Sequence, residues 1–264
     1  MCILHTRRTQ PAPAPEHAAL ALIGVVRTPQ VWSLAELAGL PQSSLRATLV
    51  CDCAPLDAAG WHTHDWTGIA LRDLWAAADA EPSARSIEVA GYDGALARFA
   101  LEDVRGALLA LKADGQNLSR AQGFPARLIV PGASACAMPR FVQRLTVSDM
   151  PAERLAPAAP RAILTHAARN RDGVHLAGWA WAGAEPLAQV AVRLDDGPPV
   201  VTDVTGPAPG VAGAWALDWR GVVADNASFS VQPVSAHSPA PTQMQKRLAR
   251  RWTPALHTLK VAGR

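Results

Sequence analysis

Four cysteines stand among 264 residues, and two of them, Cys51 and Cys53, flank a single aspartate, Asp52. Thiolates are nucleophiles and soft metal ligands, so this tripeptide is where chemistry is first expected. An apolar, partly β-branched run, Ala47-Thr48-Leu49-Val50, ends on Cys51 and places a thiol where a buried strand opens into a loop. In extended backbone, Cys51 and Cys53 share a face. They resemble half of a zinc site, but no second pair exists to complete it. The chain contains no C-x-x-C or C-x-x-C-H, which excludes covalent c-type haem within it, and with Cys2 and Cys136 the spacing is too uneven for a disulfide framework. His62-x-His64 with Asp65 imitates a metal site, although histidines spaced in this way on a loop more often face solvent.

These groups need elements to hold them, and the patterning supplies candidates. Leu20, Leu22 and Val25-Val26 around Gly24 predict a strand. Ser33, with Glu36 three residues later, is a capping box for a helix that Gly39 and Pro41 close. Trp66-Thr67-Gly68 reads as a short turn leading into an amphipathic helix with Leu71, Leu74 and Trp75 on one face. Further on, Ser86 to Val89 and Leu96 to Phe99 predict strands joined by the turn Gly91-Tyr92-Asp93-Gly94, with a short helix from Leu101.

The order of strand, Cys51, loop and Trp66-Thr67-Gly68-Ile69-Ala70-Leu71-Arg72-Asp73-Leu74 resembles the molybdopterin-binding domain of the sulfite oxidase family. So does the run from Leu108-Leu109-Ala110-Leu111, through Gly115-Gln116-Asn117-Leu118, to Gly123-Phe124-Pro125-Ala126-Arg127-Leu128-Ile129-Val130-Pro131-Gly132. The resemblance implies that Cys51 is the sulfur ligand to molybdenum. It implies that Arg127 salt-bridges the pterin phosphate and that Arg140 takes the place of the lysine in a closing Lys-Trp pair, with Phe141 in the tryptophan's place. Bidentate guanidinium recognition of phosphate makes both arginines chemically sensible. Gln122 stands where the family has a pterin-contacting histidine, Ser134 lies in the loop that approaches the cofactor, and Arg7 matches one residue of an Arg-Asn-His triplet in the opening arm. There are departures as well. Ala135 replaces a loop glycine, Ala95 lies near an expected tyrosine, and Asp52-Cys53-Ala54-Pro55 stands where sulfite oxidases usually carry arginines, so that Asp52 would repel sulfite.

Past Met150, prolines mark a linker, and short β-like pieces separated by Gly and Pro follow, from Ala162 to Val234. Gly178-Trp179-Ala180-Trp181-Ala182-Gly183 and Val190-Ala191-Val192-Arg193-Leu194-Asp195-Asp196-Gly197 resemble the family's immunoglobulin-like dimerisation domain. The expected fold class is therefore an α+β sulfite-oxidase-type molybdopterin domain followed by an all-β Ig-like sandwich. The expected organisation is an extended arm (1–17), a molybdopterin-binding domain (18–150), a linker (151–160), an Ig-like dimerisation domain (161–240) and a basic C-terminal tail (241–264).

Net charge is +3, carried almost wholly by arginine, with Lys112, Lys246 and Lys260 the three lysines; no nucleic-acid partner is read from it. No apolar run approaches the ~18 to 20 residues of a membrane helix. Arg7-Arg8 is followed by Pro11, Pro13 and Pro15 rather than by an apolar stretch, so the sequence favours the cytoplasm, with the periplasm the alternative if a leader has been removed.

The resemblance implies a molybdenum-cofactor oxidoreductase that transfers an oxygen atom to or from a small oxyanion or an S- or N-oxide. Electrons would pass to a separate haem or quinone partner, and the chain would form a homodimer or heteromer through its C-terminal domain. The alternative is a cofactor-depleted homologue that acts as a non-catalytic assembly or partner subunit.

Overall fold

Leu20 and Leu22 point inward while their neighbours do not, and this period of two makes Ala19–Gly24 a strand, β1, with one buried face. The computed structural model describes residues 17–51, 61–156, 158–224, 227–234 and 256–257. It divides into two compact units, one of Met1–Cys53 with Thr63–Pro157, the other of Ala54–His62 with Ala158–Arg264.

After β1 the first unit continues with β2 (Gln30–Ser33), α1 (Leu34–Gly39), β3 (Ser43–Val50), β4 (Trp61–Ala70, in this unit from Thr63 on), α2 (Leu71–Ala77), β5 (Ser86–Gly91), β6 (Leu96–Ala100), β7 (Leu108–Ala113), β8 (Gln116–Asn117), β9 (Arg127–Ile129) and β10 (Val142–Ser148). One sheet has the order β2-β1-β10-β5-β6, with β1 and β10 parallel and the other pairs antiparallel. The other runs β3-β4-β7-β8, with β9 also paired to β7. The capping box forms as the sequence predicts: Glu36 N–H donates to Ser33 Oγ at 3.2 Å, and Ser33 N–H donates to the Glu36 carboxylate at 2.7 Å. Leu40, extended before Pro41, ends the helix.

The predicted turn at Trp66-Thr67-Gly68 is a strand. These residues lie inside β4, paired with β7 across a register shift between Thr67 and Gly68. Trp66 is fully buried and donates from Nε1 to the Ala47 carbonyl at 3.3 Å. A Cβ on Gly68 would lie 2.0 Å from the Leu109 carbonyl oxygen, so the glycine permits a close crossing of strands. His62 and His64 accordingly lie on a strand rather than a loop. The helix expected from Leu101 is a single 3-10 turn, Leu101–Val104.

The second unit is all β. Its strands are β11 (Arg161–Asn170), β12 (Gly173–Trp181), β13 (Gln189–Leu194), β14 (Val200–Thr205), β15 (Gly213–Arg220), β16 (Phe229–Val234) and β17 (Leu256–His257). They follow the order β11-β12-β15-β14-β13-β16-β17, and β14, paired to both β13 and β15, makes the path continuous. Leu176, Val190, Val192, Trp215 and Phe229 fill the core. Trp215 Nε1 donates to the carbonyls of Ile163 and Trp179, which satisfies its buried polar atom.

Candidate functional site

Strand β3 is buried over its last four residues and delivers Cys51, half-buried, immediately beyond Val50. Its Sγ lies 3.0 Å from Cys136 Sγ in an S–H···S hydrogen bond. Cys136 sits in a 3-10 turn, Ala135–Ala137, where its N–H donates to Ser134 Oγ at 3.4 Å. That turn belongs to the segment 131–140, which begins after β9 and ends on Arg140.

Arg140 and Arg127 form the second half of the site. Arg127, on β9, is only 6% exposed. Its Nη1 donates to the Gln122 carbonyl at 3.3 Å, and its guanidinium lies 6.0 Å from the Trp66 ring centroid. Arg140 Nη1 donates to the Ala121 carbonyl at 3.3 Å, and its guanidinium lies 5.3 Å from the Phe141 ring centroid. A Cβ on Gly123 would stand 2.9 Å from Arg140 Cβ, and φ there is +108°, so glycine is what lets this turn lie against the arginine's stem.

The electrostatics of the pair are unusual. Burial first, and the charge of Arg140 second, pull Arg127 down to about 10. Nε of both arginines is buried without a hydrogen-bond partner, and neither guanidinium has a carboxylate partner among the described residues. Two cations held together with orphaned donors and no counter-ion are a site for an anion. A terminal phosphate fits these donors, and a strand-end thiol fits a soft metal; the residues present therefore fit a molybdopterin.

Of the residues that the sequence proposes for the site, the structure brings Arg127, Arg140 and the backbone of Gln122 together, and it pairs Cys51 with Cys136. The Gln122 side chain turns back to accept from Ser119 N–H at 3.0 Å, so Gln122 serves the pair through its carbonyl rather than its amide. Ser134 caps the turn that carries Cys136. Arg7, Asp52 and Cys53 lie outside the described residues. Tyr92 is structural, its hydroxyl donating to the Ala19 carbonyl at 2.9 Å and accepting from Ala19 N–H at 3.1 Å. Arg98, exposed on β6, pairs with Glu88 of the neighbouring β5. Sequence reasoning counts Cys136 only in rejecting a disulfide framework and misses its pairing with Cys51, because the two lie 85 positions apart with nothing local to connect them. Among the described residues no group of three or more metal-ligating side chains gathers.

The fold is that of a molybdopterin-binding oxidoreductase domain. The chain belongs to the family described as oxidoreductase molybdopterin binding domain, which matches residues 8–155. It is 27% identical over 104 residues to the NADPH nitrate reductase of Fusarium oxysporum, a match that spans 36% of this chain and 12% of that enzyme's length. Its fold is similar to that of the sulfane dehydrogenase SoxCD from Paracoccus pantotrophus, with a TM-score of 0.75 and 22% identity, covering 89% of this chain and 72% of that one. The α+β domain followed by an all-β domain is thus the architecture of that structure as well.

Proposed function

We propose that the chain is a molybdopterin-dependent oxidoreductase that transfers an oxygen atom to or from a small oxyanion or an S- or N-oxide. The observation that carries this reading is the pair of buried Arg127 and half-buried Arg140, with unpartnered Nε atoms and no carboxylate partner among the described residues. The bound cofactor supplies two-electron redox chemistry at molybdenum. This chain's residues supply the rest: Cys51 a thiolate, Arg127 and Arg140 the phosphate anchor, and the aromatic faces of Trp66 and Phe141 a rigid backing for the two guanidinium groups. Arg7 and Ser134 complete the proposed cofactor contacts. Electrons leave to a separate haem or quinone partner, and the all-β unit associates with a second copy.

Metal and pterin analysis of purified protein tests the reading. About one molybdenum and one pterin per chain is the expected result, and a chain that takes up neither from a cofactor-replete host overturns it. Sulfite is expected to be a poor substrate, because an aspartate, Asp52, follows Cys51 in the sequence. Turnover with an artificial acceptor on the order of 10 per second would reverse that expectation. One feature favours the alternative of a cofactor-depleted partner subunit: the Gln122 amide oxygen accepts from Ser119 N–H and so is turned to its own loop.

A further inference from the structure

We infer that Cys51 and Cys136 form a reversible dithiol–disulfide couple whose oxidised state withholds the Cys51 sulfur from metal and so gates cofactor loading. The gating half rests on the proposed molybdopterin site; the couple itself does not. Their Sγ atoms, 3.0 Å apart, already lie inside the sum of two sulfur van der Waals radii, with nothing between them. A disulfide forms at about 2.05 Å, so closure requires an approach of about 1 Å. Each thiol is half-buried, and they sit on separate supports, one at the end of β3 and the other in a single 3-10 turn capped by Ser134. One short turn is the smallest element that can shift to close the gap. A second thiol at this position adds nothing to an anion site.

The chemistry balances with an external low-molecular-weight disulfide such as oxidised glutathione. One cysteine thiolate attacks it and releases one glutathione thiolate; the second cysteine thiolate then attacks the mixed disulfide and releases the other. One S–S bond forms within the protein and one is lost from the oxidant. The two thiols have given up two protons and two electrons, and the oxidant has become two thiols. In the oxidised chain the Cys51 sulfur is bonded to sulfur and is no longer a thiolate donor.

The test uses the full chain in a Cys2→Ser, Cys53→Ser background, so that only Cys51 and Cys136 can pair, with the wild-type chain in parallel. Samples equilibrated with defined ratios of reduced and oxidised glutathione are acid-quenched, alkylated and digested. The expected result is loss of both alkylatable thiols in one step, a Cys51–Cys136 linked peptide in both chains, and reversal by dithiothreitol. Thermal unfolding is expected to move upward on oxidation, because the cross-link constrains a long unfolded loop. Cys136→Ala is expected to lose the linked peptide and the shift. Purified molybdopterin cofactor is then offered to the reduced and oxidised chains, and bound pterin is read by fluorescence after release. The oxidised chain is expected to lose uptake, and Cys136→Ala to be insensitive to oxidant. A Cys51 that remains alkylatable, or that links to Cys53 in the wild-type chain, overturns the couple. Equal pterin uptake by reduced and oxidised chains overturns the gate. A linked peptide with no uptake by either form leaves the couple standing and overturns the molybdopterin reading instead.

Discussion

At position 127 the chain keeps a cation where burial penalises it and where its nearest charged neighbour repels it. Its folded value of about 10 lies below the ordinary guanidinium value, so between the two the unfolded chain holds more protons and stability rises with pH. At neutral pH the whole penalty is present. Arg127→Met is therefore expected to stabilise the cofactor-free chain by about 1–2 kcal/mol while weakening retention of a phosphate-bearing pterin. Denaturant unfolding and pterin content check the two halves, and a less stable cofactor-free variant would show that the guanidinium is structural. The same division of roles applies to sulfur. Cys51→Ser is expected to remove the thiolate-to-molybdenum absorption of the loaded protein and Cys53→Ser to leave it; the reverse result would shift the ligand by two residues. The sequence singles out Arg127, Arg140 and Cys51 as candidates because each sits in a pattern of fixed spacing. The Cys136 partnership is not legible there, because a contact across 85 residues depends on how β3 and the 131–140 segment meet.

Elements whose signals are local read correctly, and those decided by packing do not. Ser33 and Glu36 satisfy each other's backbone within one turn, so α1 and its cap follow from four residues. Thr67-Gly68 carries a turn signal that tertiary structure overrides: burying Trp66 and seating the Leu109 carbonyl against Gly68 make β4 continuous. The linker has an anchor of its own. Arg154 donates to Asp103 at 2.7 Å and to Glu102 at 2.8 Å, and Leu155 N–H donates to Asp103 at 2.6 Å. Burial pushes the Asp103 carboxyl up, but the hydrogen bonds from Arg154 and Leu155 outweigh it and hold the group below its ordinary value. A depressed carboxylate contributes stability above its unfolded value near 3.8 and loses it as pH falls through the folded one. Asp103→Asn is expected to cost about 1–2 kcal/mol at neutral pH, with the difference from wild type shrinking below about pH 4. Urea unfolding across pH reads this, and a constant difference would locate the effect in packing rather than charge.

On the scale of the whole molecule, the alternation of apolar residues from β11 to β16 makes the all-β unit readable, since one inward face recurs on every strand. What that unit does with its outer face is a matter of exposure. Trp179 on β12 is 45% exposed and Val201 on β14 is 48% exposed, on the two strands that flank β15. A tryptophan is the side chain that most often dominates an association energy when it is buried near the centre of an interface. In a two-fold pair it would be buried twice, so one substitution removes two anchors. The full chain is therefore expected to run as a dimer at micromolar concentration by light scattering, and Trp179→Glu as a monomer. Circular dichroism of the variant should match wild type, because Trp179 lies outside the core that Trp215 and Trp181 fill. A wild-type chain that is monomeric under these conditions would remove self-association from the proposal and point to a different partner for this face. A dimer that survives Trp179→Glu would move the interface elsewhere on the second unit, and scanning Val201→Glu next would show whether β14 carries it.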